Sequence, residues 1–243
     1  MQLKTISTGS KGNCYLIEDD GKTVILDCGV PVNEILKAIN FDLKKVVCCL
    51  VTHEHRDHCK AALDLMGYGV PVFMSEGTSG IVGACSGILR HESNIQIGDY
   101  SILPFNVKHD CAEPLGFLLF NKRTGHKILY VTDSYNIPYK FNGLTHIIVE
   151  CNYCVDILLD NINKGRIPAL MKKRLMYSHL SLDSCVKFLA RQDLSSCRKI
   201  LLVHLSDGNS SAAEMIKTIY SKTGIDTEVA SDNQTTNFDL YGF

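Results

Sequence analysis

Three imidazoles and an aspartate fall within six positions of this chain, His53-Glu54-His55-Arg56-Asp57-His58, spaced as H-x-H-x-D-H. They follow directly on the apolar run Val46-Val47-Cys48-Cys49-Leu50-Val51. A β-strand ending in a tight loop delivers His53 and His55 to one side and Asp57 and His58 to another, which suits two metal ions better than one. Neutral imidazole nitrogen and carboxylate oxygen are ligands that zinc, manganese and iron(II) accept, with no thiolate required. The bland alternative is a histidine-rich polar turn. Four ligand-type side chains packed this closely behind a buried strand argue against it.

Four more candidates stand at the ends of apolar runs. Asp27 closes Thr23-Val24-Ile25-Leu26, and His109 follows Asn106-Val107-Lys108. Asp133 follows Ile128-Leu129-Tyr130-Val131-Thr132, and His204 follows Leu201-Leu202-Val203. Taken singly, such a residue is a turn-former. Taken with the histidine loop, they acquire a common purpose, because a dinuclear site needs about seven ligands including one bridging carboxylate.

The elements that must position these residues read as follows. Residues 3–7, 14–18 and 23–27 are strand-like, and the breaks at Thr8 to Asn13 and Asp19-Asp20-Gly21 carry hairpin turn chemistry. Pro31 opens a helix to about Ile39, and the strand into the histidine loop comes next. A helix from about Lys60 to Met66, a strand over 70–74 and a small-residue helix over 78–83 follow. Residues 102–108, 116–120 and 127–131 read as strands of a second sheet, the last two joined by a turn at 121–125. A strand over 145–150 leads to helices over 155–161, 168–176 and 181–191. A buried strand over 200–203, a helix over 211–223 and a closing strand over 227–230 complete the pattern. No linker or repeat interrupts it, so one α/β domain over 1–243 is expected, with two sheets sandwiched between helices (αββα).

Composition excludes several classes. The chain has 243 residues, 45% hydrophobic and 21% charged, as an ordinary globular protein does. Its 25 basic and 26 acidic residues leave a formal charge of −1, without the excess of cations that a grip on long nucleic acid favours. No apolar stretch approaches the ~20 residues of a membrane span, so no membrane partner is expected. Eleven cysteines, an odd number, several inside apolar runs and with no leader ahead of them, read as free thiols in a cytoplasmic setting. Cys151-Asn152-Tyr153-Cys154 has no second pair with zinc-site spacing.

The order Asp27, His53-x-His55-x-Asp57-His58, His109, Asp133, His204 resembles the five motifs of the metallo-β-lactamase superfamily over nearly the whole chain. Within it, Ser7 to Asn13, Leu26-Asp27-Cys28-Gly29, Val149 to Tyr153 and His179-Leu180-Ser181 resemble the YycJ/WalJ branch, which is related to the RNase Z-type phosphodiesterases. The resemblance implies the αββα four-layer sandwich and two divalent ions, Zn²⁺ or Mn²⁺. His53, His55 and His109 would bind one ion and Asp57, His58 and His204 the other, with Asp133 bridging and Asp27 hydrogen-bonding the histidine loop from outside the ligand set. The ions would lower the pKa of a shared water, whose hydroxide attacks the substrate; Asp57 belongs to that catalytic set as well.

Glu150 and His179 decide the electrophile. In RNase Z-type enzymes a glutamate–histidine pair outside the ligands protonates a departing alkoxide, and Glu150 would hold His179 in the tautomer that does so. Ser181, Arg166 and Lys173 are expected near the substrate phosphate. Three substrates follow: a 3′,5′-cyclic nucleotide, as cleaved by the anti-Pycsar enzymes of phages that share this fold and size; DNA or RNA, as for the YycJ type; and an acyl compound. The compact length and near-neutral charge favour the cyclic nucleotide. A metal-binding protein without activity fits poorly, because every ligand position is filled. A homodimer is expected from the habits of the superfamily.

Overall fold

The structure is a computed structural model describing residues 1–238, and it divides into two units. The first comprises Met1–Asn106, Cys111–Lys127 and the described residues from Ala230 onward; the second comprises Val107–Asp110 and Ile128–Val229. The strands belong to two sheets, the α/β class expected from the sequence.

In the first unit the chain runs β1 (Gln2–Ser7), β2 (Cys14–Asp19), β3 (Lys22–Leu26), α1 (Val32–Ala38) and β4 (Val46–Leu50). It continues through α2 (Arg56–Cys59), α3 (Ala62–Gly67), β5 (Val72–Met74), α4 (Glu76–Val82) and β6 (Gly87–Ile88). An antiparallel ribbon follows, β7 (Ile95–Ile97), β8 (Tyr100–Asn106) and β9 (Leu115–Asn121). The second unit holds all but the first residue of β10 (Lys127–Val131), then β11 (His146–Glu150), α5 (Val155–Asn163), α6 (Ala169–Ser178) and α7 (Leu182–Leu189). It ends with β12 (Lys199–Val203), α8 (Ala212–Thr223) and β13 (Asp226–Val229), after which β14 (Gln234–Asn237) returns to the first unit.

The sheet of the first unit has the order β14-β1-β2-β3-β4-β5-β6. Its β14-β1-β2-β3 half is antiparallel and its β3 to β6 half is parallel. Ile35, Leu36 and Leu65 of α1 and α3 pack on Leu16, Ile25, Cys49 and Val72 of the sheet in one apolar cluster. In the second unit β10, β11, β12 and β13 pair in parallel. All five residues of β11 and of β12 are buried, which explains why these strands read as continuous apolar runs rather than as alternation.

Two expectations change. The helix expected over about 60–66 is α3, which begins at Ala62 because the amide of Ala61 donates to the Cys28 carbonyl (2.9 Å) and so leaves the helical ladder, and a separate turn, α2, precedes it. Asp57 and His58 therefore lie on a helical turn, α2, rather than in the tight loop expected. The short strands β6, β7 and β14 carry no legible signal; β14 is Gln-Thr-Thr-Asn, without apolar alternation, and is formed by its pairing to β1.

Candidate metal centre

In the first unit, β4 ends at Leu50 and three further residues bring the chain to His53. His53 and His58 are buried, with ring centroids 4.2 Å apart, and His53 Nε2 lies 3.0 Å from His55 Nδ1. Asp57 reaches 3.7 Å from His58 Nε2 with one carboxylate oxygen. Glu54, the remaining acid of the motif, is committed elsewhere: it accepts from the Ala112 amide at 2.6 Å and from the Thr78 hydroxyl at 3.4 Å.

Asp27 organises this half. Its carboxylate accepts from the Thr52 amide (2.8 Å) and hydroxyl (2.9 Å), and the same group lies 2.8 Å from His58 Nδ1. Asn13 approaches the other side of that ring, with Nδ2 3.0 Å from His58 Nε2. The orientation of the Asn13 amide follows from its neighbours, since Oδ1 accepts from the Gly9 amide and the Tyr15 hydroxyl. His58 thus carries its proton on Nδ1, toward Asp27, and its lone pair on Nε2. That is the tautomer a divalent ion requires of it.

Two glycines hold this arrangement together. A Cβ on Gly29 would fall 1.7 Å from the Asp57 carbonyl oxygen, and one on Gly12 would fall 2.7 Å from the Gly29 carbonyl oxygen. Backbone bonds fill the space instead: Asn13 N to Asp57 O and Cys28 N to His58 O, both 2.7 Å, and Gly29 N to Asn13 O, 2.9 Å. The Ser7 to Asn13 loop, which reads in the sequence as small residues or a plain turn, serves to seat α2.

In the second unit, ligand atoms of Asp133, Glu150, His179 and His204 all lie within 4.8 Å of one another. Glu150, the last residue of β11, is the hub. Its Oε1 lies 2.7 Å from His179 Nδ1 and 2.9 Å from His204 Nδ1, while Oε2 accepts from the amides of Leu180 (2.9 Å) and Ser134 (3.2 Å). Asp133 Oδ1 stands 3.2 Å from the same nitrogen of each histidine. His109 turns Nδ1 toward the Ser178 carbonyl (2.9 Å) and places Nε2 4.0 Å from Asp133 Oδ1. His109 and His204, like His58, each have Nδ1 engaged by an acceptor of their own unit. This is the support that metal-ligating histidines carry, so these donor sets fit divalent ions.

Electrostatics agree with the geometry. Burial alone would raise Glu150, but the charge of His179 and hydrogen bonds from His179 and His204 hold it below the usual carboxylate range. Burial pulls His179 down, yet Glu150 and Asp133 override it and lift the imidazole to about 10. His109 is lowered, chiefly by burial, with Asp133 opposing. Asp27, Asp133 and His204 all adopt left-handed backbone, with φ of 56°, 45° and 55°, within two residues of a strand end. Strain of this kind gathers at functional sites, and Asp and His tolerate it better than branched residues.

The three expected substrate contacts have other settings. Ser181 caps α7, accepting from the Ser184 amide at 3.2 Å; Arg166 bonds Asn161 Oδ1 at 3.1 Å; Lys173 is exposed on α6. Residues that sequence reasoning did not single out as supports are Thr52, Ser178 and Asn152, whose Nδ2 donates to the His204 carbonyl at 2.7 Å. Ser178 contributes only a carbonyl, for which a sequence carries no signal. The thiols of Cys151 and Cys154 are buried and free, and Cys151 shares a hydrogen bond with Cys185.

Residues 7–75 match the metallo-beta-lactamase superfamily. The chain is similar to the exodeoxyribonuclease YycJ of Bacillus anthracis, 25% identical over 228 residues that cover 86% of this chain and 84% of that one. Among solved structures it is similar to the metallo-beta-lactamase fold protein YhfI of Bacillus subtilis, with a TM-score of 0.72, 13% identity, and coverage of 97% of this chain and 98% of that one. It is also similar to the short form of human tRNase Z, with a TM-score of 0.65, 13% identity, and coverage of 99% and 100%. No described helix is long and apolar enough to cross a membrane. With the ligand-type clusters in place, the chain has the metallo-beta-lactamase fold and is a metallo-hydrolase.

Proposed function

We propose that this metallo-hydrolase is a phosphodiesterase acting on nucleotide phosphodiesters. Its ligands for two divalent ions are His53, His55, Asp57, His58, His109, Asp133 and His204. The observation that carries the reading is the 2.7 Å contact between His179 Nδ1 and the buried Glu150 carboxylate. Hydrolysis of a thioester releases a thiolate, which departs without such a pair. An alkoxide leaves only when protonated, and a cationic imidazole held by a carboxylate is a donor suited to that task.

Bound divalent ions would neutralise phosphoryl oxygens and acidify a water. The residues of the chain do the rest. Glu150 fixes the His179 ring and keeps its Nδ1 proton in place, so that the transferable proton is the one on Nε2. His179 stands near 10 with Glu150 and Asp133 both anionic beside it. Divalent ions held by Asp133 would oppose that effect and bring the imidazolium pKa down toward the working pH, where a general acid donates best. Asp27 keeps His58 in its ligating tautomer.

The relatives named exodeoxyribonucleases favour a linear DNA strand as substrate. The formal charge of −1 favours a 3′,5′-cyclic nucleotide as the second reading. Purified protein with Mn²⁺, offered linear DNA and a panel of cyclic nucleotides, decides between them, with Asp133→Ala as the blank. Release of mononucleotides from DNA supports the first reading, and conversion of cyclic to linear monophosphates supports the second. Hydrolysis of neither, by protein that holds its metals, overturns the phosphodiesterase assignment.

A further inference from the structure

Lys11, Arg56 and Lys60 converge on one cavity of about 250 Å³, completed by Ser10, Gly29 and Asp57. The three cations come from two separate segments, the loop between β1 and β2 and the turn of α2. Arg56 and Lys60 stand one helical turn apart, with the Lys60 amide bonded to the Arg56 carbonyl at 3.2 Å. Like charges at that spacing repel. Lys11 adds a third positive charge, and none of the three has an ion pair or a side-chain hydrogen bond among the described residues. Asp57 is the one carboxylate on the lining, and the proposed function already assigns it to a metal. Gly29 leaves part of the wall as bare backbone.

A repulsive cluster without a protein counter-ion is relieved by an anion. The cavity is smaller than the roughly 300–1,000 Å³ that encloses a whole small ligand, so it suits one group of a larger molecule. We propose that it is a subsite for a second phosphate, the one neighbouring the phosphate that is cleaved. This rests on the phosphodiesterase reading and narrows it: a cyclic mononucleotide has a single phosphate, which the metals would take. A linear oligonucleotide has a neighbour to place here. Net charge conceals such a subsite, since three cations on one wall are offset by acids elsewhere in the chain.

The test is binding of a fluorescein-labelled, 12-nucleotide single-stranded DNA to the metal-loaded protein, followed by anisotropy from 50 to 300 mM KCl. The triple variant Lys11→Ala/Arg56→Ala/Lys60→Ala is compared with wild type and with Lys11→Arg/Arg56→Lys/Lys60→Arg. All three side chains are exposed, and near-ultraviolet circular dichroism checks that the variants fold. The alanine variant is expected to bind about tenfold more weakly at low salt, with its logarithmic salt slope reduced by about 0.7, as loss of one neutralised phosphate on a single strand predicts. The charge-conserving variant keeps most of the affinity. Equal affinity and salt slope in wild type and alanine variant would overturn the subsite. Hydrolysis of bis(p-nitrophenyl) phosphate by wild type, measured separately, reports on the phosphodiesterase reading itself, so the two failures are distinguishable.

Discussion

His58 Nδ1 lies 2.8 Å from Asp27 Oδ2, and both side chains are buried. The pair fixes which nitrogen of His58 carries the proton, and Asn13 confirms it from the opposite edge of the ring. Asp27→Asn tests the consequence. Asparagine tolerates the left-handed backbone at this position, so the shape persists while the anion is lost. Its amide can donate to Nδ1, which moves the ring proton to Nε2 and removes the ligating lone pair. Metal affinity, read by titration with Mn²⁺ or Zn²⁺, is expected to fall about 10–100-fold. Unchanged affinity would show that the pair is structural only.

His179 and Glu150 predict a dependence on the leaving group. His179→Ala is expected to slow hydrolysis of a dinucleotide, whose leaving group is an alkoxide, by about 10²-fold or more. Hydrolysis of bis(p-nitrophenyl) phosphate should slow far less, because nitrophenolate departs without a proton. Glu150→Gln should follow the same pattern and also weaken metal binding, since Oε1 lies within 2.9 Å of His204 Nδ1. Equal losses on both substrates would remove the general-acid role and leave His179 a positioning residue.

The same imidazole makes the metal-free protein sensitive to pH. His179 is raised in the folded chain to about 10, above an unfolded value of about 6.5. Its contribution to stability is therefore complete below about pH 6.5 and is lost as pH rises through about 10. Burial pushes Cys48, Cys59 and Cys197 up to about 12, so their unfolded thiolates also lower stability, but only above about pH 9. Thermal midpoints in chelator between pH 6.5 and 8.5 isolate the histidine. Wild type should lose more over that window than His179→Gln, and parallel curves would contradict the assignment.

The ligand types were legible because each follows a strand, and strands show in their apolar runs. Asp27, His53, Asp133 and His204 could be placed from sequence on that ground. What holds them was far less legible. Glu150 is bound by the amides of Leu180 and Ser134, and His109 by the Ser178 carbonyl, and backbone atoms carry no sequence signal. Asn13 looked like a turn residue because its contact to His58 spans 45 positions. Lys11, Arg56 and Lys60 are scattered cations until the chain folds.

Gly29 sits in the Leu26-Asp27-Cys28-Gly29 motif for a reason that a pair of substitutions can check. A Cβ there meets the Asp57 carbonyl carbon at 2.0 Å as well as its oxygen at 1.7 Å, and backbone cannot move aside as the end of a side chain can. Gly29→Ala must therefore push α2 away from β3, displacing Asp57 and His58 together. At Gly125, φ is +74° and nothing lies within 4 Å, so Gly125→Ala meets only the strain of a left-handed alanine, about 1–2 kcal/mol. The control should lower the thermal midpoint by a few degrees, at about 2–4 °C per kcal/mol for a chain of this size, and leave metal content intact. Gly29→Ala should lower it by about 10 °C or more and reduce bound metal in the same preparation. A Gly29→Ala protein that melts like the control with full metal content would show that the close approach of Gly29 to Asp57 is not what seats the ligand helix.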